Sequence, residues 1–208
     1  MNIISPLPST LLANMSFETP ALLARLWSRL VLAAVFVLCG LVSSFAAEPN
    51  LRLEAKLKDW TQLAQTWASS PEVLTAVRAQ NKGLSPLLQG LSREKWAALE
   101  GSSDVLRTLR ANDAAKFMRR EKSIFISEAF VNDAAGNKVA MLEKTTNWNH
   151  HGAAKHDEPM AGKIYCGAIV YDESSAAKVV QIAVPVLDDG VPIGSLVLGI
   201  NVYELAKQ

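Results

Sequence analysis

The stretch "KVVQIAVPVLDDGVPIGSLVLGINV", Lys178 to Val202, decides the fold. Two apolar, β-branched runs flank Asp189-Gly190, a dipeptide suited to a tight hairpin turn. Side chains alternate across a strand, so the two faces can be separated by counting. Ile182, Val184 and Val186 share one face of the first run, and Gly194, Leu196, Leu198 and Ile200 the matching face of the second. Gln181, Ala183 and Pro185 share the opposite face with Ile193, Ser195, Val197, Gly199 and Asn201. The aliphatic face belongs against a long N-terminal helix. The small and polar face suits the floor of a concavity, since short side chains leave room and scattered polar groups orient a guest. A long loop lying over it with nothing bound satisfies the same pattern.

Working upstream, "KIYCGAIVYD" reads as a further strand, and "SIFISEAFVND" and "KVAMLEKTT" as two more joined by "DAAGN". Gly136 supplies the positive φ that this turn requires. Before them the period changes. Leu53, Leu57, Trp60, Ala64 and Trp67 recur at spacings of 4, 3, 4 and 3, one stripe of a long helix. Ser70-Pro71 opens a second helix, which stops at Asn81-Lys82-Gly83. Ser85-Pro86 repeats the start signal, a short helix spans Arg93 to Leu99, and Ser103 caps one running from Asp104 to about Arg120. Helices followed by hairpin-linked strands predict an α+β domain with an antiparallel sheet of about five strands. Residues 47–122 form its helical segment and 123–208 its sheet.

Residues 1–46 read differently. Leu30 to Ala46 is seventeen residues without a charge, preceded by Arg25 and Arg29 and ending in small residues at Ser44 and Ala46. This is the pattern of a secretory signal peptide, predicting a periplasmic chain that begins near Ala47. The alternative is a retained anchor facing the periplasm, for which the run is short against the ~20 residues of a spanning helix. Met15 is the more ordinary start.

Removing Arg25, Arg29 and Glu18 leaves 19 basic and 19 acidic residues. A balanced surface argues against nucleic-acid binding, which needs a basic face. Only Cys166 would remain, which excludes an internal disulfide. Its place in an apolar strand predicts a buried thiol.

All three histidines, His150, His151 and His156, lie in "TTNWNHHGAAKHDEPM", followed by Asp157 and Glu158. One reading is a metal site built from His150, His156 and Asp157, within the segment 150–158. Adjacent histidines on an extended segment point oppositely, however, and no spaced motif such as His-Glu-x-x-His occurs. An enzymatic reading has less support. There is no Gly-x-Ser-x-Gly elbow or phosphate loop, and a dyad of Cys166 with a histidine lacks a third group. The chain is therefore expected to be neither an enzyme nor dependent on a cofactor.

"EAFVNDAAGNKVAMLEKTTNW" and "GKIYCGAIVYDESSAAKVVQIAVPVLDDGVPIGSLVLGINV" resemble the Cache family of extracytoplasmic sensor domains, in its PDC-type single-domain branch. The resemblance covers about residues 50–205. It rests on Glu128 with Phe130 and Asp133, on Thr-Thr-x-Trp opening the long loop, on "YDES" and on "QIAVPVLDDG", taken in order. It implies a long N-terminal helix on a PAS-like sheet. It also implies a small-molecule pocket under the loop joining strands two and three, and sensing rather than catalysis. One departure stands out. Similar sequences continue from the loop opening into a Gly-Asp-Glu-like acidic run, whereas here Ala153 and Ala154 follow Gly152. The ligand of relatives is not carried over.

The expected ligand-binding residues are Trp148 as a lid, Tyr165 and Tyr171 on either side of Gly167, Asp172 at the strand end, and Gln181 and Ser195 on the floor. The histidines are expected at the rim, titrating near ~6.5. The ligand is expected to be a small molecule, and the partner a membrane-bound receptor or sensor kinase. A homodimer through the N-terminal helix is a further expectation.

Overall fold

The computed structural model describes residues 55–172 and 177–206. The signal segment, Leu53 of the helical stripe, and Glu173 and Ser174 of "YDES" lie outside them.

The described part of α1 covers 55–68 and buries Ala64, Trp67 and Ala68. Trp67 meets Phe117 edge-on at 5.9 Å, and Trp60 meets Phe125 at 5.7 Å. Four helices follow: α2 (Pro71–Lys82), α3 (Arg93–Ala98), α4 (Asp104–Ala111) and α5 (Asp113–Glu121). Each begins where a side-chain oxygen satisfies an otherwise orphaned N–H. Ser70 accepts from Val73 N, Ser92 from Lys95 N, Ser103 from Leu106 N and Asn112 from Ala115 N.

Asn112 explains one departure from expectation. It turns out of the helix at φ −69°, ψ 168°, ending α4 and capping α5. Its Nδ2 also donates to Val139 O at 2.7 Å, so the break ties the helices to the sheet. Ser85-Pro86 starts a turn rather than a helix.

The sheet has six strands: β1 (Ile126–Asp133), β2 (Lys138–Met141), β3 (Tyr165–Cys166), β4 (Val170–Asp172), β5 (Ala177–Asp188) and β6 (Val191–Asn201). Every pairing is antiparallel, in the order β2-β1-β6-β5-β3, with β4 also on β5. The expected third strand is thus split in two. Gly167 N still reaches Gln181 O at 2.8 Å, but the ladder lapses before Val170. Both turns form as read: Gly136 has φ 82°, while Asp189 and Gly190 have φ 47° and 81°.

Two further helices complete the described chain, α6 (Ala154–Met160) inside the histidine loop and α7 (Val202–Ala206) after β6. Lys56 Nζ donates to Leu205 O at 2.8 Å, joining α1 to α7.

The faces divide as the alternation predicts. Ile182, Val184, Val186, Leu196, Leu198 and Ile200 are all fully buried, on the side where Gly194 approaches Val77 of α2. Burying one such side chain is worth about 1.5–3 kcal/mol. On the other face Ala183, Val197, Phe130 and Met141 join Trp96, Leu106, Leu109 and Trp148 in a second cluster. Beyond that cluster the same face is open.

Candidate functional site

The open part is a cavity of about 710 Å³. Its floor is Glu128 of β1 with Val179 and Gln181 of β5. Its walls are Arg110 of α4, Lys155 of α6, Val170 and Tyr171 of β4, and the segment Glu143–Asn147, with His150. The floor exists because Gly199 stands between Gln181 and Glu128 in the ladder and offers no side chain.

Lys155 Nζ donates to Gln181 Oε1 at 3.2 Å, and Gln181 Nε2 donates to Glu128 Oε1. Arg110 lies 3.6 Å from Glu143, and its Nε is buried without a hydrogen-bond partner among the described residues. Lys144 Nζ donates to Ala97 O and Leu99 O, at the C-terminal end of α3. The lining therefore carries three cationic side chains and two carboxylates, with Thr145, Thr146 and Asn147 between them.

Behind the cavity runs a buried polar chain. Lys138 is 0% exposed; its Nζ meets Asn132 Oδ1 at 3.3 Å, His150 Nδ1 at 3.0 Å and the Phe130 ring centroid at 3.3 Å. Asn132 Nδ2 donates to Ser195 Oγ at 2.9 Å, and Ser195 Oγ meets His156 Nδ1 at 2.9 Å. The His150 ring stacks on Phe130 at 5.0 Å. Burial pushes the Lys138 ammonium well below the ordinary lysine value, with Lys155 adding repulsion and Glu128 opposing both. Burial, then Lys138, lowers His150 to about 2. His156 is also lowered, by burial.

Local backbone bonding sets this arrangement. Trp148–His150 runs back beside the hairpin: Lys138 N donates to Trp148 O at 3.1 Å and His150 N to Gly136 O at 2.8 Å. A Cβ on Gly136 would lie 2.4 Å from His151 N, so only glycine allows this close approach.

The expected site residues scatter. Tyr171 and Gln181 line the cavity. Tyr171 is 63% exposed, and Asp172 ends β4 paired with Ala177. Trp148 folds over the small-residue face, but as a core residue 8% exposed, not as a lid. Tyr165 packs against the same cluster, and its own ring fills the space over Gly167 where a guest was expected. Ser195 is fully buried within the polar chain. The rim expectation for the histidines is corrected for two of three: His150 is 4% and His156 1% exposed, because each finds a buried polar partner.

Those partners occupy one nitrogen of each ring, and Asp157 Oδ1 accepts from Gly152 N at 3.1 Å. Among the described residues no three His, Cys, Asp or Glu side chains are placed to hold a metal ion. Cys166 is exposed rather than buried, since the short β3 leaves one side uncovered.

Sequence reading missed Lys138, Lys155, Arg110 and Asn132. A signal existed for Lys138, which lies opposite Asn132 on the inward phase of β2. Its position as the first strand residue made it resemble a solvated turn lysine.

No family model matches this chain, and no curated protein matches it. Solved structures do. The Vibrio cholerae histidine kinase DctB sensor domain is 15% identical over 75% of this chain and 53% of its own, with a TM-score of 0.48. The Escherichia coli DcuS sensor domain is 16% identical over 70% of this chain and 88% of its own, with a TM-score of 0.42. The ligand-binding domain of the Campylobacter jejuni chemoreceptor Tlp3, solved with 4-methylisoleucine, is 17% identical over 75% and 62%, with a TM-score of 0.37. The chain thus spans less than two thirds of the DctB and Tlp3 structures. These three structures, to which this α+β chain is similar, are two sensor domains, one of them from a histidine kinase, and the ligand-binding domain of a chemoreceptor.

Proposed function

We propose that this chain is a Cache-type sensor domain that binds a small molecule outside the cytoplasm and presents it to a membrane-bound receptor or kinase. The observation that carries this reading is the cavity of about 710 Å³ between the mixed face of the sheet and the loop joining β2 and β3. Its volume suits a metabolite, and its convergent donors and acceptors would orient one. The sequence resemblance points to the same place in the fold. Export rests on the apolar run 30–46 with its basic flank. Tyr171 and Gln181 are the sequence-derived residues retained as ligand contacts, joined by Arg110, Lys155 and His150.

A thermal-shift screen of metabolites on the purified chain tests the binding claim. A compound that binds only the folded state raises stability by about 2.7 kcal/mol at a hundredfold excess over Kd. At least one metabolite class should do so, and Gln181→Ala should reduce the shift. A screen across anionic, neutral and cationic metabolites without a single hit would sink this reading. N-terminal sequencing of the exported product checks cleavage near Ala47; a full-length, membrane-retained product would favour the anchor.

A further inference from the structure

Lys138 is the one fully buried charged residue among the described residues, and no carboxylate hydrogen-bonds it. Its Nζ has three neighbours besides its own carbon. Asn132 Oδ1 requires a donor, and so does the negative face of the Phe130 ring. Two N–H groups are thereby assigned. The third direction faces His150 Nδ1 at 3.0 Å. It can hold the third proton of an ammonium or the lone pair of an amine, and that choice sets the histidine tautomer. An ammonium donates to bare Nδ1, leaving the ring proton on Nε2. An amine accepts from Nδ1–H, leaving Nε2 bare. His150 lines the cavity, and its Nε2 has no hydrogen bond among the described residues, so Nε2 is the atom left to meet a guest.

We infer that the Lys138–His150 pair makes a proton the co-ligand of this cavity: a small carboxylate enters with one proton, which comes to rest on Lys138. This rests on the small-molecule reading above. The balance is simple. The incoming proton binds His150 Nε2 while the Nδ1 proton passes to Lys138, turning amine to ammonium. The ring stays neutral and now offers Nε2–H to the carboxylate. Arg110 also lines the cavity and adds a positive charge that attracts a carboxylate. The charges facing the pair are Glu128 of β1 and Lys155 and His156 of α6, with Arg110, Lys144 and Glu143 around the cavity. Burial holds Lys138 toward the amine while the cavity is empty. A bound anion opposes that by direct attraction.

The probes are unbranched mono- and dicarboxylates of about two to five carbons, each compared with its primary amide, a size range suited to such a pocket. Calorimetric titration of the purified chain in two buffers of different ionisation enthalpy should show at least one carboxylate bound about tenfold tighter than its amide, a difference of about 1.4 kcal/mol. It should also show about one proton taken up per ligand near neutral pH. Lys138→Met should abolish the uptake and weaken the carboxylate about tenfold, not the amide. ¹⁵N spectra of the wild-type histidines give an independent reading if that variant does not fold. On ligand addition His150 should pass from the Nδ1–H to the Nε2–H form. Equal binding of amide and acid, no proton uptake, uptake that survives Lys138→Met, an unmoved tautomer, or no bound carboxylate would each overturn the inference. A neutral or cationic metabolite that stabilises the chain when no carboxylate does would overturn it and leave the sensor reading standing.

Discussion

Leu198 and Gly199 are neighbours on β6, yet they belong to different environments. Leu198 is fully buried among aliphatic side chains. Gly199 lies across from Glu128 and Gln181 at the floor of the cavity. One face of the sheet is filled by branched side chains of similar size. The other is filled near its middle by Phe130, Trp148 and Ala183 and left open where glycine and long polar residues meet. A single alternating strand thus builds a core and a binding surface, and side-chain volume decides where one gives way to the other.

The largest effects should fall on the packed regions. Leu198→Ala should cost about 2–5 kcal/mol and Trp148→Ala about 3–5 kcal/mol, read from denaturant midpoints. For Trp148 the loss should be visible without ligand; near-wild-type stability would return that ring to the role of lid. Gly194→Ala tests the aliphatic face from the opposite direction. The added Cβ would lie 2.3 Å from Asn132 O and 3.0 Å from Val77 Cγ1, so backbone must move. Overpacking of this kind costs about 1–3 kcal/mol.

The polar chain behind the cavity should appear in the pH dependence of stability. His150 is lowered to about 2 when folded, against ~6.5 unfolded. Below 6.5 the unfolded chain binds a proton that the folded chain refuses, so stability falls with pH from there toward the folded value. By pH 5 this one group accounts for about 2 kcal/mol, and His156 acts in the same direction. Comparing urea unfolding at pH 7 and pH 5 for wild type and His150→Gln isolates that share. Equal slopes for the two proteins would mean that His150 is solvated. The smallest change in stability belongs to Gly199→Ala. Its Cβ would meet Glu128 Cγ at 2.5 Å and Ser127 Oγ at 3.0 Å, side-chain atoms that can swing aside. Stability should fall by less than for Gly194→Ala, since side chains rather than backbone give way, while affinity for a cavity ligand falls. A Gly199→Ala loss equal to that of Gly194→Ala would erase the distinction between the faces.

Much of the fold was legible because it is local. Asp189-Gly190 and Gly136 act through their own backbone, and the Ser70 and Ser103 hydroxyls on N–H groups three residues on, so the sequence displays them directly. Asn112 was less visible, because its cap competes with an otherwise continuous helical pattern. The site was harder still. Gln181 and Tyr171 could be placed by counting along strands. Lys138, Asn132, Ser195, His150 and His156 form one chain only after β1, β2, β6 and the loop around α6 come together. No spacing within the sequence encodes that meeting. Tyr165 misled for a related reason: alternation gave its direction but not that its ring would lie over its own neighbour Gly167.

The bond from Lys56 Nζ to Leu205 O brings the first described helix and the last within reach of each other. The described residues 55–206, whose first and last helices meet, have the layout of a cassette. It can be spliced into a surface loop of a host protein without prying the host apart, and fresh termini can be opened elsewhere, with Asp189-Gly190 as the natural cut.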